Sequence, residues 1–212
     1  MRYKRNQVED AIAGCLGASV QSQPSADLLT RLKRLLDTDR KLKKGSYAFY
    51  SGKPSGKGVE VEFSEYEVFA LLTGVRLLDH GFPQQSVVLL LRNIRTHLEK
   101  EHARILRLPA AGLFNQGEIR ARAKSGQLAV NNQSPAYLVI AAKRPAGDDT
   151  QYSMADDFEI CRTEADMMRA INAKLGSTHT IFETVTSAFS LHEKLALTEP
   201  KRRGPPGQTK RN

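Results

Sequence analysis

Residues 47–91 read YAFYSGKPSGKGVEVEFSEYEVFALLTGVRLLDHGFPQQSVVLLL. Tyr47 and Phe49, then Val59, Val61 and Phe63, alternate with smaller or charged residues in the manner of half-buried strands. Between them SGKPSGKG supplies Gly52, Pro54, Gly56 and Gly58 for turns, so the pair predicts a hairpin with Lys53 and Lys57 at its tip. Ser64 and Glu67 have the S-x-x-E spacing of a capping box, which opens a helix bearing Phe69, Leu71, Leu72, Val75 and Leu78. His80-Gly81 closes that helix, because glycine accepts the left-handed backbone of a helix C-terminus, and Pro83 starts the next.

Upstream, Val8, Ile12 and Leu16 recur at helical spacing over residues 7–16, and the loop GASVQSQPS follows. Ser25 then stands as the N-cap of ADLLTRLKRLLDTDRKL, whose Leu28, Leu32, Leu35, Leu36 and Leu42 form an apolar face. The other side of this helix carries Arg31, Lys33, Arg34, Arg40, Lys41, Lys43 and Lys44. Downstream, residues 83–108 predict a helix on the order of 37 Å long at 1.5 Å per residue, longer than a small domain needs. Val87, Leu90 or Leu91, Ile94, Leu98 and Ile105 make its stripe, and its charged end alternates in sign, as antiparallel helix pairs do. The expectation is a projecting helix that dimerises through Val87, Leu91, Ile94, Leu98 and Ile105.

Residues 109–134 are rich in Gly, Asn and Gln and read as a linker with one short helix near 116–124. A small α/β module over 135–198 is expected next, with strands at 136–142, 158–161 and 180–185. Its helices are one capped by Thr163, with Met167, Met168, Ile171 and Leu175 on its stripe, and one over 187–197. The strands at 136–142 and 180–185 are expected to offer sheet edges for association. The basic tail 199–212 has a disordered composition. The fold class is therefore α+β: a winged helix-turn-helix over 1–82, a long helix over 83–108, and the module and tail behind them.

Charge narrows the function. The chain of 212 residues carries +9, with 40% hydrophobic and 26% charged residues, ordinary values for a folded domain apart from the sign. The excess sits at the ends: +7 over residues 1–57 and +5 over 200–212, against −1 over 58–109 and −2 over 110–199. That asymmetry is the electrostatic footprint expected of a nucleic-acid or anionic-surface partner. Arg2, Lys4 and Arg5 are either an arm for a minor groove or a frayed end.

Other classes have little support in the sequence. No run of about 18 apolar residues exists and MRYKRNQVED has no apolar signal stretch, so the expected location is cytoplasmic, on the nucleoid. Cys15 and Cys161 stand apart with no metal-ligand spacing and read as buried thiols. GxGxxG, GxxxxGK[ST], GxSxG and HExxH are missing. His80, His97, His102, His179 and His192 show no ligand pattern, and Asp148, Asp149, Asp156 and Asp157 lack the spacing of an EF-hand. No catalytic residue, metal or cofactor is expected, and the chain does not read as an enzyme.

The stretch 47–91 resembles the part of MerR-type transcription regulators in which a tyrosine-bearing wing leads into an acidic-capped helix and a hydrophobic-Gly-Phe turn. The matching residues are Tyr50, Ser64-Glu65, Leu71, Leu72, Leu77, Gly81-Phe82, Val87 and Leu90. The resemblance implies a winged-helix DNA reader whose two helices before the wing form the helix-turn-helix, with a long helix making an antiparallel dimer. This chain departs from the pattern in its longer loop between the first two helices and its lengthened wing. It has no cysteines near the end of the long helix, so metal sensing is not implied. The expected function is a dimeric duplex-DNA-binding regulator or architectural factor. It would contact DNA through Arg31, Lys33, Arg34, Arg40, Lys41, Lys43 and Lys44 and the wing lysines Lys53 and Lys57. The alternative is a non-enzymatic interaction scaffold in a protein or RNA assembly, its charge serving an acidic protein or RNA; the bland reading of the basic helix itself is a solvated face paired with Asp37 and Asp39.

Overall fold

A computed structural model describes residues 1–20, 23–42, 46–52, 61–125, 132–142 and 157–200. The chain opens with β1 (Arg2–Lys4) and α1 (Arg5–Leu16), then a minimal ladder of β2 (Ser19–Val20) and β3 (Gln23–Pro24) leads into α2 (Ala26–Lys41). β4 (Glu62–Ser64), α3 (Glu65–Asp79) and α4 (Gln84–Ile105) follow, then the short α5 (Ala110–Leu113) and α6 (Gln116–Lys124). The chain continues through β5 (Tyr137–Ala142), β6 (Phe158–Cys161), α7 (Glu164–Asn172), β7 (Thr178–Glu183) and α8 (Val185–Ala196). The class is α+β.

Local chemistry sets the helix boundaries where the sequence places them. Ser25 Oγ accepts from the Leu28 amide at 3.3 Å, and Thr163 Oγ1 accepts from Asp166 at 3.0 Å. The Ser64–Glu67 box closes in both directions, with Glu67 N to Ser64 Oγ at 3.2 Å and Ser64 N to Glu67 Oε2 at 2.7 Å. Gly81 takes φ 83° after α3, a conformation an L side chain resists. Gly74, inside α3, serves packing: a Cβ there would lie 3.2 Å from Leu35 Cδ1 and 3.3 Å from Leu91 Cδ1, so glycine lets α2, α3 and α4 approach closely.

The hairpin expectation is corrected by two observations. β4 pairs antiparallel with β1 (Arg2↔Ser64, Tyr3↔Phe63, Lys4↔Glu62), and residues 46–50 form no strand. Side chains replace the ladder for that segment. The buried Asp39 carboxylate accepts from the amides of Ala48 (3.1 Å) and Phe49 (3.0 Å), while Arg95 donates to the carbonyls of Tyr47, Ala48 and Tyr50. With both kinds of backbone group satisfied, the segment has no need of a partner strand. The tip carrying Lys53 and Lys57 lies outside the described residues. Residues 2–4, read as an arm or a frayed end, are an ordered strand.

The long helix does not project. Val87, Leu91, Ile94, Leu98 and Ile105 are each at most 1% exposed, covered by the chain's own elements, so they are core and not a dimer seam. On α4 the exposed large hydrophobic among the described residues is Leu89, at 40%. The expected linker is also structured where it is described: α5 and α6 bury Leu113 and Ile119, and Gln133 N donates to Leu113 O at 2.9 Å.

The back module is a three-stranded sheet in the order β6-β5-β7, antiparallel throughout. β5 is its central strand, which corrects the expectation that 136–142 offers an edge. Both faces of β5 are covered: Leu138, Ile140 and Ala142 join the main core, while Tyr137 and Val139 pack with Cys161, Met167 and Ala170. A strand buried on two sides has no polar face to alternate, which is why YLVIAA is apolar throughout.

The module is joined firmly to the front. α8 packs along α1, and its Val185, Ala188, Leu191 and Leu195 belong to the same buried cluster as Ile12, Leu71 and Leu91. Polar ties reinforce the contact: Arg76 donates to Ser187, His192 Nδ1 meets Glu65 at 2.7 Å, and Gln7 Nε2 donates to Thr198 O at 3.1 Å. One core therefore spans both halves.

Candidate nucleic-acid interface

α2 divides its residues by face. Leu28, Leu32, Leu35 and Leu36 are buried, and at about 100° per residue Lys33, Arg34, Arg40 and Lys41 fall within an arc of roughly 120° on the opposite side. All four are exposed. Lys33, Arg34 and Lys41 form no ion pair among the described residues. The Arg40 guanidinium lies 5.3 Å from the Tyr50 ring centroid, which fixes its direction. Burial pushes the Tyr50 hydroxyl up to about 12, against the opposing charge of Arg40, so the ring stays neutral beneath the cation. Asp37 shares the arc, half-buried.

Arg31 is otherwise employed. It pairs with Asp27 at 2.8 Å and with Asp79 of α3, fastening α2 to α3 at the border of the arc. Lys43 and Lys44 lie outside the described residues. Asp39, which the sequence offered as a neutraliser of the basic face, is fully buried on the leucine side. There it accepts from Arg92 Nε at 2.7 Å, and Arg92 stacks 5.3 Å from the Tyr47 ring centroid. The acid thus subtracts nothing from the outward charge.

Two supporting residues escaped the sequence reading, Arg92 and Arg95, and Asp39 was read there only as a surface neutraliser. The signal was available in part. Asp39 falls in helical register with Leu28, Leu32, Leu35 and Leu36, and Arg92 adjoins Leu91 in the apolar part of α4; a charge on an apolar face marks a buried pair. Glu67 likewise does more than cap, since Ser51 Oγ donates to it at 2.6 Å and Arg95 Nη2 lies 3.6 Å away. These groups hold residues 46–51 against α2, α3 and α4.

Such an arc offers cations to an extended polyanion, each contact releasing condensed counterions. Among the described residues no cluster of three or more His, Cys, Asp or Glu is placed to hold a metal, and no helix is long and apolar enough to cross a membrane. No family, no curated protein and no solved structure matches the chain.

Proposed function

We propose that this protein binds duplex DNA through the outward face of α2, as a MerR-like regulator or an architectural factor. The observation that carries the reading is the separation on α2: Lys33, Arg34, Arg40 and Lys41 are exposed on one arc while Asp39 is drawn into the core by Arg92. The four cations share that arc with one acid, Asp37, which leaves the face positive toward a phosphate backbone. Lys53 and Lys57, which follow in sequence the segment that Asp39 and Arg95 anchor, are proposed as a second group of cations. The α4 stripe is spent in the core, so a dimeric regulator would use another surface for its second copy.

Fluorescence anisotropy of the full chain with a labelled random duplex tests the reading. About four phosphate contacts correspond to a fall in affinity of roughly a hundredfold between 50 and 200 mM salt. Binding to single-stranded RNA with no affinity for duplex DNA at low salt would favour the scaffold reading instead.

A further inference from the structure

The last turn of α4, the last turn of α6 and the start of α7 meet around a cleft of about 640 Å³, within the range of small-molecule sites. Arg104, Arg122 and Arg162 line it, with Gln133, Ser134 and Thr163. Beneath two of these arginines lies Glu101, 2% exposed. Its Oε1 accepts from Arg104 Nε (2.9 Å) and lies 2.7 Å from Arg104 Nη2, and its Oε2 accepts from Arg162 Nε (3.2 Å) and Nη2 (2.8 Å). Burial alone raises the Glu101 carboxyl, and the hydrogen bonds from the two guanidiniums more than reverse that, so it stays ionised.

One carboxylate therefore aligns two guanidiniums and cancels one of their charges. Neither Arg104 Nη1 nor Arg162 Nη1 donates to a protein acceptor among the described residues, which leaves two fixed donor groups at the cleft. Arg122 adds a third guanidinium beside Glu164, 3.4 Å away. Tyr137, 3% exposed, has a buried hydroxyl with no hydrogen-bond partner among the described residues, and its electrostatic neighbours are Glu164, Glu183 and Arg122.

We propose that this cleft binds a small phosphate-bearing anion, a di- or oligophosphate, between Arg104, Arg162 and Arg122. A phosphate group carries more oxygens than a carboxylate and a second charge, so it engages guanidiniums from more than one wall at once. The cleft lies about 18 Å along α4 from Arg92, the residue that grips α2. The assignment does not depend on the DNA-binding reading.

Calorimetric titration of the full chain with sodium pyrophosphate at low ionic strength tests it, with inorganic phosphate and sodium acetate as parallel arms. Pyrophosphate is expected to bind at one site, to raise Tm, and to bind more tightly than acetate. Arg122→Gln and Arg162→Gln are each expected to weaken pyrophosphate at least tenfold, the folding of each variant checked by its own Tm. The combined Lys33→Gln, Arg34→Gln, Arg40→Gln, Lys41→Gln variant retains the pyrophosphate affinity. The proposal is overturned by absent binding, by acetate binding as tightly, by affinity unchanged in Arg122→Gln and Arg162→Gln, or by Arg122→Gln weakening duplex DNA as much as pyrophosphate.

Discussion

Asp39 shows how much of the front half turns on single side chains. Its carboxylate holds two amides of residues 48–49 and the Arg92 guanidinium, all in the interior. Asp39→Ala strands a buried cation and two donors, so urea unfolding is expected to show a loss of about 3–5 kcal/mol. Asp39→Ala combined with Arg92→Met removes both charges and should be less destabilised than Asp39→Ala alone; equal or greater loss in the double variant would show that the pair is not coupled. His102 carries the acid sensitivity. It lies 4.8 Å from the Phe69 ring and 6.1 Å from that of Tyr66, its Nε2 has no partner among the described residues, and burial pushes it down to about 4. The unfolded chain therefore binds the extra proton between about pH 6.5 and 4. Stability contributed by the neutral ring is complete above that window and is lost as pH falls through it, by about 3 kcal/mol in all. His102→Phe should flatten the pH dependence of Tm in that interval, and an unaltered slope would place the sensitivity elsewhere. Neither residue was legible from composition: the helical register of Asp39 was visible, but the identity of its partner, 53 positions away, was not.

At the scale of elements, the capped helices were legible because their signals are local. Ser25, Ser64 with Glu67, and Thr163 act within one turn, so three or four residues contain the whole interaction. The strand at 158–161 agrees with the sequence reading, and that at 136–142 to within a residue. Pairing was not legible, because it depends on what lies far along the chain: β4 took β1 as its partner, and the 47–50 segment was satisfied by Asp39 and Arg95. The stripe of α4 has the same explanation. An apolar seam looks alike whether a second copy or the chain's own α2, α3 and α8 cover it, and here the chain covers it. Leu98→Ala is accordingly expected to cost about 2–5 kcal/mol by chemical denaturation while leaving the mass from light scattering unchanged. A shift in mass with stability retained would restore the seam.

For the whole molecule, a division at residues 109–134 was expected from composition, yet Ile12, Leu91, Ile140 and Leu191 belong to one buried cluster. A composition change marks where surface character changes, not where packing stops. Calorimetry of the full chain should therefore show one cooperative transition, whereas two resolved transitions would restore the division. The same core holds α2 with its cations outward, the face proposed to grip DNA phosphates. The most direct test is the slope of log K against log salt for duplex binding, measured for the wild type and for the combined Lys33→Gln, Arg34→Gln, Arg40→Gln, Lys41→Gln variant with matched Tm. At about 0.9 per phosphate, the account predicts a slope shallower by about two to four in the variant. An unchanged slope would contradict it.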